Sequence, residues 1–547
     1  MFSENRYPPR IKCGAGIFGI MLCEREAGMG RATRRIAAGM AGAAVVCCAL
    51  SAPPARAQLS QAWTWCVNKE NAPADLQING CTSVIQSGNE TEKNLAIAFN
   101  NRGNAYRNRG DDDRAIADYT QSIRLDPNYA YPYNGRGNAY RAKGDNDRAL
   151  ADYNQSIRID PNYASPYNGR GNVWRDRGDN DRAIAEYDMA IKLDPRYALA
   201  YNGRGNAYND KRQYDRAIAD YSQAIRLDPS YASPHNGRGN AYRSKGDIDT
   251  ALADYNEAIR LDPASALAHN GRGNVYYDKR DYDRAIADYN ECLRIDPKYA
   301  VGYNNRGLSY ARKEDHDRAV ADYSEAIRLD PRYAVAYDNR GDSYRAKKDY
   351  DRAIADYSEA IRIDPKYATA YNDRGDIYRL KEDDDRAIAD YNEALRINPT
   401  YAAAINNRST SYENKGLYDQ AIQGYDQLIG MQPKVADWWN YRCWDRAILD
   451  RLQAALADCN EAVRLKPNDA NILDSRGLVY LKLAQFDNAI ADYDAVLKLS
   501  PKEARSLYGR GLAKHKKGDA AGGAADMAAA TAIRANVAIQ FARYGVR

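Results

Sequence analysis

Beyond residue 95 the chain is built of short runs in which apolar or small residues return every three or four places. In Ala130-Tyr-Pro-Tyr-Asn-Gly-Arg-Gly-Asn-Ala-Tyr140 the packing residues are Tyr133, Gly137 and Tyr140. In Asp147-Arg-Ala-Leu-Ala-Asp-Tyr-Asn-Gln-Ser-Ile157 they are Ala149, Tyr153 and Ser156. That spacing puts each set on one face of a helix. Two such runs make a unit, and the unit recurs. Pro127 is followed by a proline at every thirty-fourth residue up to Pro501, twelve in succession. Thirteen units of 34 residues fill 96–537, and repetition at that period predicts an all-α chain of stacked helix pairs.

The punctuation agrees. Gly-Asp pairs at mid-unit (Gly144-Asp145, Gly178-Asp179, Gly246-Asp247) end one helix with a glycine and cap the next with a carboxylate. Asp147, Asp181 and Asp249 then sit in the second helix's first turn, where the macrodipole favours negative charge. The proline stops the second helix, because the residue before it is pushed out of the α region. The acidic runs Asp111-Asp112-Asp113 and Asp383-Asp384-Asp385 invite a calcium reading. They lack a calcium loop's ligand spacing and fall at helix starts, so capping accounts for them. The Gly-Arg-Gly text suggests a phosphate loop, but it lies mid-helix and is set aside.

Numbered from 1 with the proline at 32, the unit carries a large residue at 4, a small one at 8 and an aromatic at 11. Alanine follows at 20, an aromatic at 24 and a small residue at 27. This pattern resembles the tetratricopeptide repeat (TPR), and it extends over nearly the whole chain beyond residue 95. The resemblance implies an α-solenoid, a right-handed superhelix of about thirteen stacked helix pairs with caps at both ends. Residues 58–95 are then expected to form a degenerate helical N-terminal cap and 96–537 the thirteen units. Residues 538–547 are the end of a C-terminal capping helix, with Ile533, Val537 and Phe541 recurring every four residues.

One departure from the family is systematic. Position 7, usually leucine, is arginine in all thirteen units, from Arg102 to Arg510, and position 23 is acidic in twelve, Gly424 being the exception. The two stand at similar height across the hairpin, so an Arg–carboxylate ladder is expected in preference to a row of ligand clamps. Most of the 45 tyrosines fall at positions 4, 11, 24 and 34. They read as core, with hydroxyls reaching the solvated edge. His235 and His269 share position 4 without a carboxylate or cysteine companion at ligand spacing, and no metal or other cofactor is expected.

In the family the first helices line the concave face, chiefly through positions 2, 5, 6, 9, 12 and 13. That placement makes two columns of asparagine a candidate ligand groove. Position 5 supplies Asn100, Asn134, Asn168, Asn202, Asn236 and Asn270, among ten in all; position 9 supplies Asn104, Asn138, Asn172, Asn206, Asn240 and Asn274. An amide offers donor and acceptor together, which suits the backbone of an extended peptide. Position 12 adds Arg107, Arg141, Arg175 and Arg243, suited to carboxylates. Position 6 is glycine in units two to six (Gly135, Gly169, Gly203, Gly237, Gly271), although a helical glycine costs about 1 kcal/mol against alanine. Close approach of a ligand, a flexible superhelix, or duplication of one harmless choice would each account for it. Units seven to nine turn acidic on this face (Asp338, Asp342, Asp373, Asp376), and units eleven to thirteen apolar at position 9 (Trp444, Leu478, Leu512).

Composition narrows the partners. With 44% apolar and 28% charged residues, the 547-residue chain is neither disordered nor a multi-spanning membrane protein. Its formal charge of +5 arises within residues 1–57, which carry eight basic and three acidic side chains; the remainder is neutral. A neutral chain has no global electrostatic reason to condense on nucleic acid or an anionic membrane.

The excess belongs to a three-part leader: Arg31, Arg34 and Arg35, the apolar Ile36–Leu50, then Ser51-Ala-Pro-Pro-Ala-Arg-Ala57. This is the layout of a secretory signal, cut between Ala57 and Gln58, and Met29 fits as its true start. Fifteen apolar residues fall short of a spanning helix, so no transmembrane span is expected after cleavage. An uncleaved anchor, or lipid at Cys47 or Cys48, is the alternative. Export follows, in a bacterium to the periplasm or beyond.

Cys13, Cys23, Cys47 and Cys48 leave with the leader. Cys66 and Cys81 are equidistant from the turn at Pro73-Ala74, and Cys443 and Cys459 straddle theirs almost as evenly. In an oxidising compartment this predicts the disulfides Cys66–Cys81 and Cys443–Cys459, with Cys292 left as a buried thiol. No nucleophile–base pair or metal cluster occurs in the 48 mature residues outside the repeats, so no enzyme is expected. The function expected is a non-enzymatic scaffold of the cell envelope, holding a protein or extended peptide segment in the concave Asn/Arg-lined groove. A self-associating structural solenoid and a regulatory subunit of an envelope enzyme are the alternatives.

Overall fold

The structure, a computed structural model, describes residues 55–68 and 72–546. Apart from residues 55–57, the expected leader and its four cysteines lie outside the described residues. The chain divides into two units, 1–61 and 62–547. Of the first, only the opening of the helix Ala55–Cys66 is described. The second holds the repeats.

Among the described residues there are 29 helices and no strand. Ala130–Ala142 and Asn146–Ile159 make one hairpin, and the pattern returns as Ala164–Asp176 and Asn180–Leu193. Each first helix packs on its own second helix and on the second helix before it. First helices also touch one another, Ala130–Ala142 meeting both Glu92–Asn108 and Ala164–Asp176, whereas second helices make no comparable contact. An α-solenoid results, with the first helices on its inner, concave side.

Local chemistry sets the hairpin ends. Gly144 takes φ +79°, and the Asp145 carboxylate then accepts from the Arg148 backbone N–H at 3.0 Å. Asp111 and Asp383 cap their helices in the same way. Where glycine is missing, Arg212, Arg280, Glu314, Lys348, Glu382, Asp450 and Ala484 hold the left-handed turn at φ 56° to 62°.

The position-24 tyrosines are the core. Tyr187 is fully buried, its ring between two first helices. A Cβ on Gly171, in its own hairpin, would stand 2.8 Å from the ring, and one on Gly203, in the next, 2.5 Å. Gly135, Gly169, Gly237 and Gly271 meet the preceding tyrosine at 2.3 to 2.6 Å in the same sense. The glycine run at position 6 therefore has a packing cause.

The position-7 arginines form a ladder. Arg204 holds Asp220 through Nε and Nη2, both at 2.7 Å, while Nη1 reaches Asp188 on the preceding second helix. The same double grip joins Arg102 to Asp118 and Arg510 to Asp526, so each rung also ties adjacent hairpins together. Gly424 breaks the pattern for a steric reason: a Cβ there would stand 2.0 Å from Ser409 Oγ.

Disulfides join Cys66 to Cys81 and Cys443 to Cys459. Cys292 is free and buried, and burial pushes its thiol up to about 12. The C-terminal face differs from expectation. Ile533 ends the helix Ala520–Ile533 and is 49% exposed, whereas Val537 and Phe541 are buried from a separate helix, Val537–Arg543. Arg534, with extended backbone, breaks the chain where earlier units place their Asp-Pro. No helix among the described residues is long and apolar enough to cross a membrane.

Candidate ligand groove

The two asparagine columns are occupied differently. At position 9 each side-chain oxygen accepts from the buried tyrosine of its own hairpin: Tyr119 to Asn104, Tyr187 to Asn172, Tyr255 to Asn240 and Tyr289 to Asn274 at 2.7 Å, Tyr221 to Asn206 at 2.8 Å, Tyr153 to Asn138 at 2.9 Å. These hydroxyls end on groove asparagines, not in the solvated edge the sequence suggested, and one lone pair of each position-9 oxygen is thereby taken; at Asn274 the other accepts from Asn305 at 3.2 Å.

At position 5 several of the amide nitrogens bond within the stack. Asn134 donates to Tyr163 and Ser165, both at 3.2 Å, Asn202 to Tyr231 at 3.2 Å, and Asn100 to Asn101 at 3.2 Å. Their oxygens follow a rule set thirty-five residues on. Where position 6 of the next unit is asparagine, its amide donates: Asn305 to Asn270 at 3.0 Å, Asn339 to Asn304 at 2.8 Å, Asn407 to Asn372 at 3.1 Å. Where it is Gly169, Gly203, Gly237 or Gly271, the oxygens of Asn134, Asn168, Asn202 and Asn236 are buried without a partner. Beside this row, at position 2, Tyr131, Leu199 and Leu267 are 50%, 48% and 56% exposed.

The arginines at position 12 are mostly answered from inside the chain. Arg141 pairs with Asp176 at 2.8 Å, Arg243 with Asp278 at 2.6 Å, and Arg175 faces Asp210 at 3.9 Å. The aspartates come from position 13 of the following unit, a pairing that hairpin-level reading missed because it spans 35 residues. Arg107 has no such partner, since Ala142 stands opposite, and its Nε is unpaired.

Further along, Tyr367 donates to Asp338 at 3.0 Å, and Arg345 holds Asp342 at 3.0 Å with Asp373 at 3.8 Å. Burial, then the Asp373 and Asp342 charges, raise Asp338 to about 7; burial, then Asp342, raise Asp373 to about 7. The apolar end of the groove is not open. Trp444, Leu478 and Leu512 pack with Phe541 and Tyr544 of the C-terminal segment, Trp444 edge-on to Tyr544 at 5.0 Å. His235 and His269 do have carboxylate neighbours, Asp254 at 3.3 Å and Asp288 at 3.4 Å, supplied by position 23. Burial works against it, yet Arg238 and His235 hold Asp254 below the usual carboxylate range. No cluster of three metal-ligating side chains occurs among the described residues.

The TPR repeat pattern matches at residues 103–140, 137–174, 171–211, 205–242, 239–280 and 341–381. Tetratricopeptide repeat patterns match 266–299, 300–333 and 368–401, and again 407–470 and 475–538. The chain belongs to the tetratricopeptide repeat family. TPR proteins are in general scaffolds suited to protein–protein interaction. No curated protein sequence matches this TPR chain. Among solved structures it is similar to the APC/C hetero-tetramer Cut9–Hcn1, at 15% identity over 84% of this chain and 96% of that one, TM-score 0.44. It is also similar to a tetratricopeptide repeat protein from Parabacteroides merdae, at 19% identity over 46% and 98%, TM-score 0.37. YrrB, described as a TPR protein with an unusual peptide-binding site, shares 26% identity over 34% and 95%, TM-score 0.27.

Proposed function

We propose that this TPR chain is an exported, non-enzymatic scaffold of the bacterial envelope that holds an extended segment of a partner protein along its concave face. The row of unpaired oxygens on Asn134, Asn168, Asn202 and Asn236 carries the reading. The chain itself indicates what satisfies such an oxygen: in units seven, eight and ten it is an amide N–H. An extended polypeptide offers amide N–H groups in series, and the exposed apolar side chains at position 2 give it a surface to lie on. The neutral repeat region argues against nucleic acid as the ligand.

The test takes acceptors out of the row and leaves the tyrosine sandwich untouched. Asn168→Ala with Asn202→Ala removes two of the unpaired oxygens. Photo-crosslinking of the exported chain should then lose its polypeptide adducts while circular dichroism shows the helices intact. Adducts recovered equally from both chains would remove the groove from consideration. A second copy of this chain as the adduct would favour the self-associating solenoid. Export is checked separately, by a mature N-terminus at Gln58.

A further inference from the structure

The column of position-9 acceptors breaks at Leu308. Six units before it place asparagine there, and the two after it place Asp342 and Asp376, which accept from Tyr357 at 2.9 Å and Tyr391 at 2.7 Å. Tyr323, buried to 1% exposure, faces leucine instead, and its hydroxyl meets no hydrogen-bond partner among the described residues. A cavity of about 330 Å³ lies against it. Leu308, Ala311 and Ala346 give the cavity apolar walls, and Arg312, Tyr323 and Ser343 line it with donors. Ser343 is 1% exposed and its Oγ is also unpartnered, as is Nδ1 of His316 on the same cavity.

Charge decides what fits. Arg312 occupies position 13, where Asp176, Asp210 and Asp278 answer an arginine in earlier units. It donates Nε to the Tyr277 hydroxyl at 3.0 Å, and no carboxylate among the described residues pairs with it. Asp342 and Arg345 also line the cavity, but they pair with each other at 3.0 Å, and Arg345 has Asp373 and Asp376 within 4.0 Å as well. The guanidinium left uncompensated is that of Arg312. An unused phenol O–H, an unused serine O–H and a free guanidinium around an apolar-walled cavity call for a ligand that accepts, carries negative charge and has a short hydrocarbon stem.

We propose that this cavity is a subsite for a carboxylate of the polypeptide held in the groove. Its oxygens accept from Tyr323 and Arg312, and its methylenes rest on Leu308, Ala311 and Ala346. The subsite rests on the groove as the polypeptide's site and adds an acidic residue to what the groove selects.

Displayed random dodecapeptides, selected on the full chain, test it in three forms: wild type, Leu308→Asn and Arg312→Gln. Leu308→Asn gives Tyr323 the acceptor its neighbours have, so its O–H is no longer free for a ligand, and it does so with a residue that six other units already hold at this position. The expected result is enrichment of Asp or Glu at one peptide position on the wild type and on neither variant. A selected acidic peptide should bind each variant on the order of tenfold more weakly. Synthesis with free and amidated C-termini separates a side-chain carboxylate from a terminal one. Enriched peptides without an acidic position, or an acidic preference unchanged in both variants, overturn the subsite and leave the groove standing. No enrichment on the wild type overturns both. Matching thermal melts of the three chains show that folding is not the cause.

Discussion

Arg340 holds Asp356 from two nitrogens at once, Nε and Nη2 each at 2.8 Å, while its third nitrogen reaches Ser324 of the preceding hairpin at 3.0 Å. Asp356 is 7% exposed, so its charge depends on this grip. Removing one member of a buried pair leaves the other uncompensated, at about 3 kcal/mol, whereas replacing both with apolar groups is far milder. Arg340→Leu is therefore expected to destabilise the chain strongly, and Arg340→Leu with Asp356→Ala to recover most of the loss. Urea denaturation of the two variants measures the difference. Equal losses would show that the stranded Asp356 charge is not what destabilises the single variant.

The tyrosine sandwich makes a second case. A Cβ on Gly205 would stand 2.8 Å from Tyr221 Cε1 and 2.9 Å from Cδ1. Alanine would gain about 1 kcal/mol of helix propensity, but overpacking a filled core costs about 1–3 kcal/mol. Because the Tyr221 ring is 1% exposed and cannot swing to solvent, the clash is expected to win. Gly205→Ala should melt lower than wild type, and a higher melting temperature would show that the ring yields.

These two cases mark how far the sequence reaches. The helix pairs, their caps and the Arg–carboxylate rungs were legible because each is a relation inside one 34-residue unit. What escaped lies between units. Asp176 answers Arg141 and Asn339 answers Asn304 across 35 residues, and Gly203 packs on Tyr187 of the hairpin before it. Such contacts depend on how one hairpin leans on the next, which no single unit's pattern states. The covering of Trp444 by Tyr544 is longer in range still. Composition showed an apolar end to the groove, but not that the chain fills it.

The disulfide Cys443–Cys459 sits in a small cluster with Ala447, Ala455 and Val479, in a unit where Arg446 replaces the position-11 aromatic. It closes a loop of 16 residues, and constraining such a loop in the unfolded chain contributes about 3 kcal/mol. In a stack of repeats that loss is felt locally. Cys443→Ser with Cys459→Ser should raise amide hydrogen exchange in the helices Ala436–Ile448 and Leu452–Leu465 and in their neighbours, and leave residues 130–300 unchanged. A uniform rise along the whole chain would contradict this local role.

Asp373 stands thirty-five residues beyond Asp338, the relation in which Asn339 donates to Asn304 and Asn407 to Asn372. An ionised aspartate cannot donate, and Asp338 Oδ1 is left unpartnered. Burial first, and neighbouring carboxylates second, hold both acids at about 7, against about 3.9 in an unfolded chain. Proton binding sets the sign. Between pH 4 and 7 the folded chain keeps protons that the unfolded chain has released, so stability falls as pH rises through that window and levels off above it. Asp373→Asn replaces one of the two acids with an amide that can donate to Asp338. The variant should match wild type near pH 4 and exceed it by a margin that grows toward pH 7, at most about 1.4 kcal/mol per pH unit for each proton involved. Arg345 keeps Asp342 at 3.0 Å throughout, so the guanidinium is not stranded. Urea midpoints of both chains from pH 4 to pH 8 give the comparison, and a margin that stays constant with pH would show that this acid pair is not what titrates.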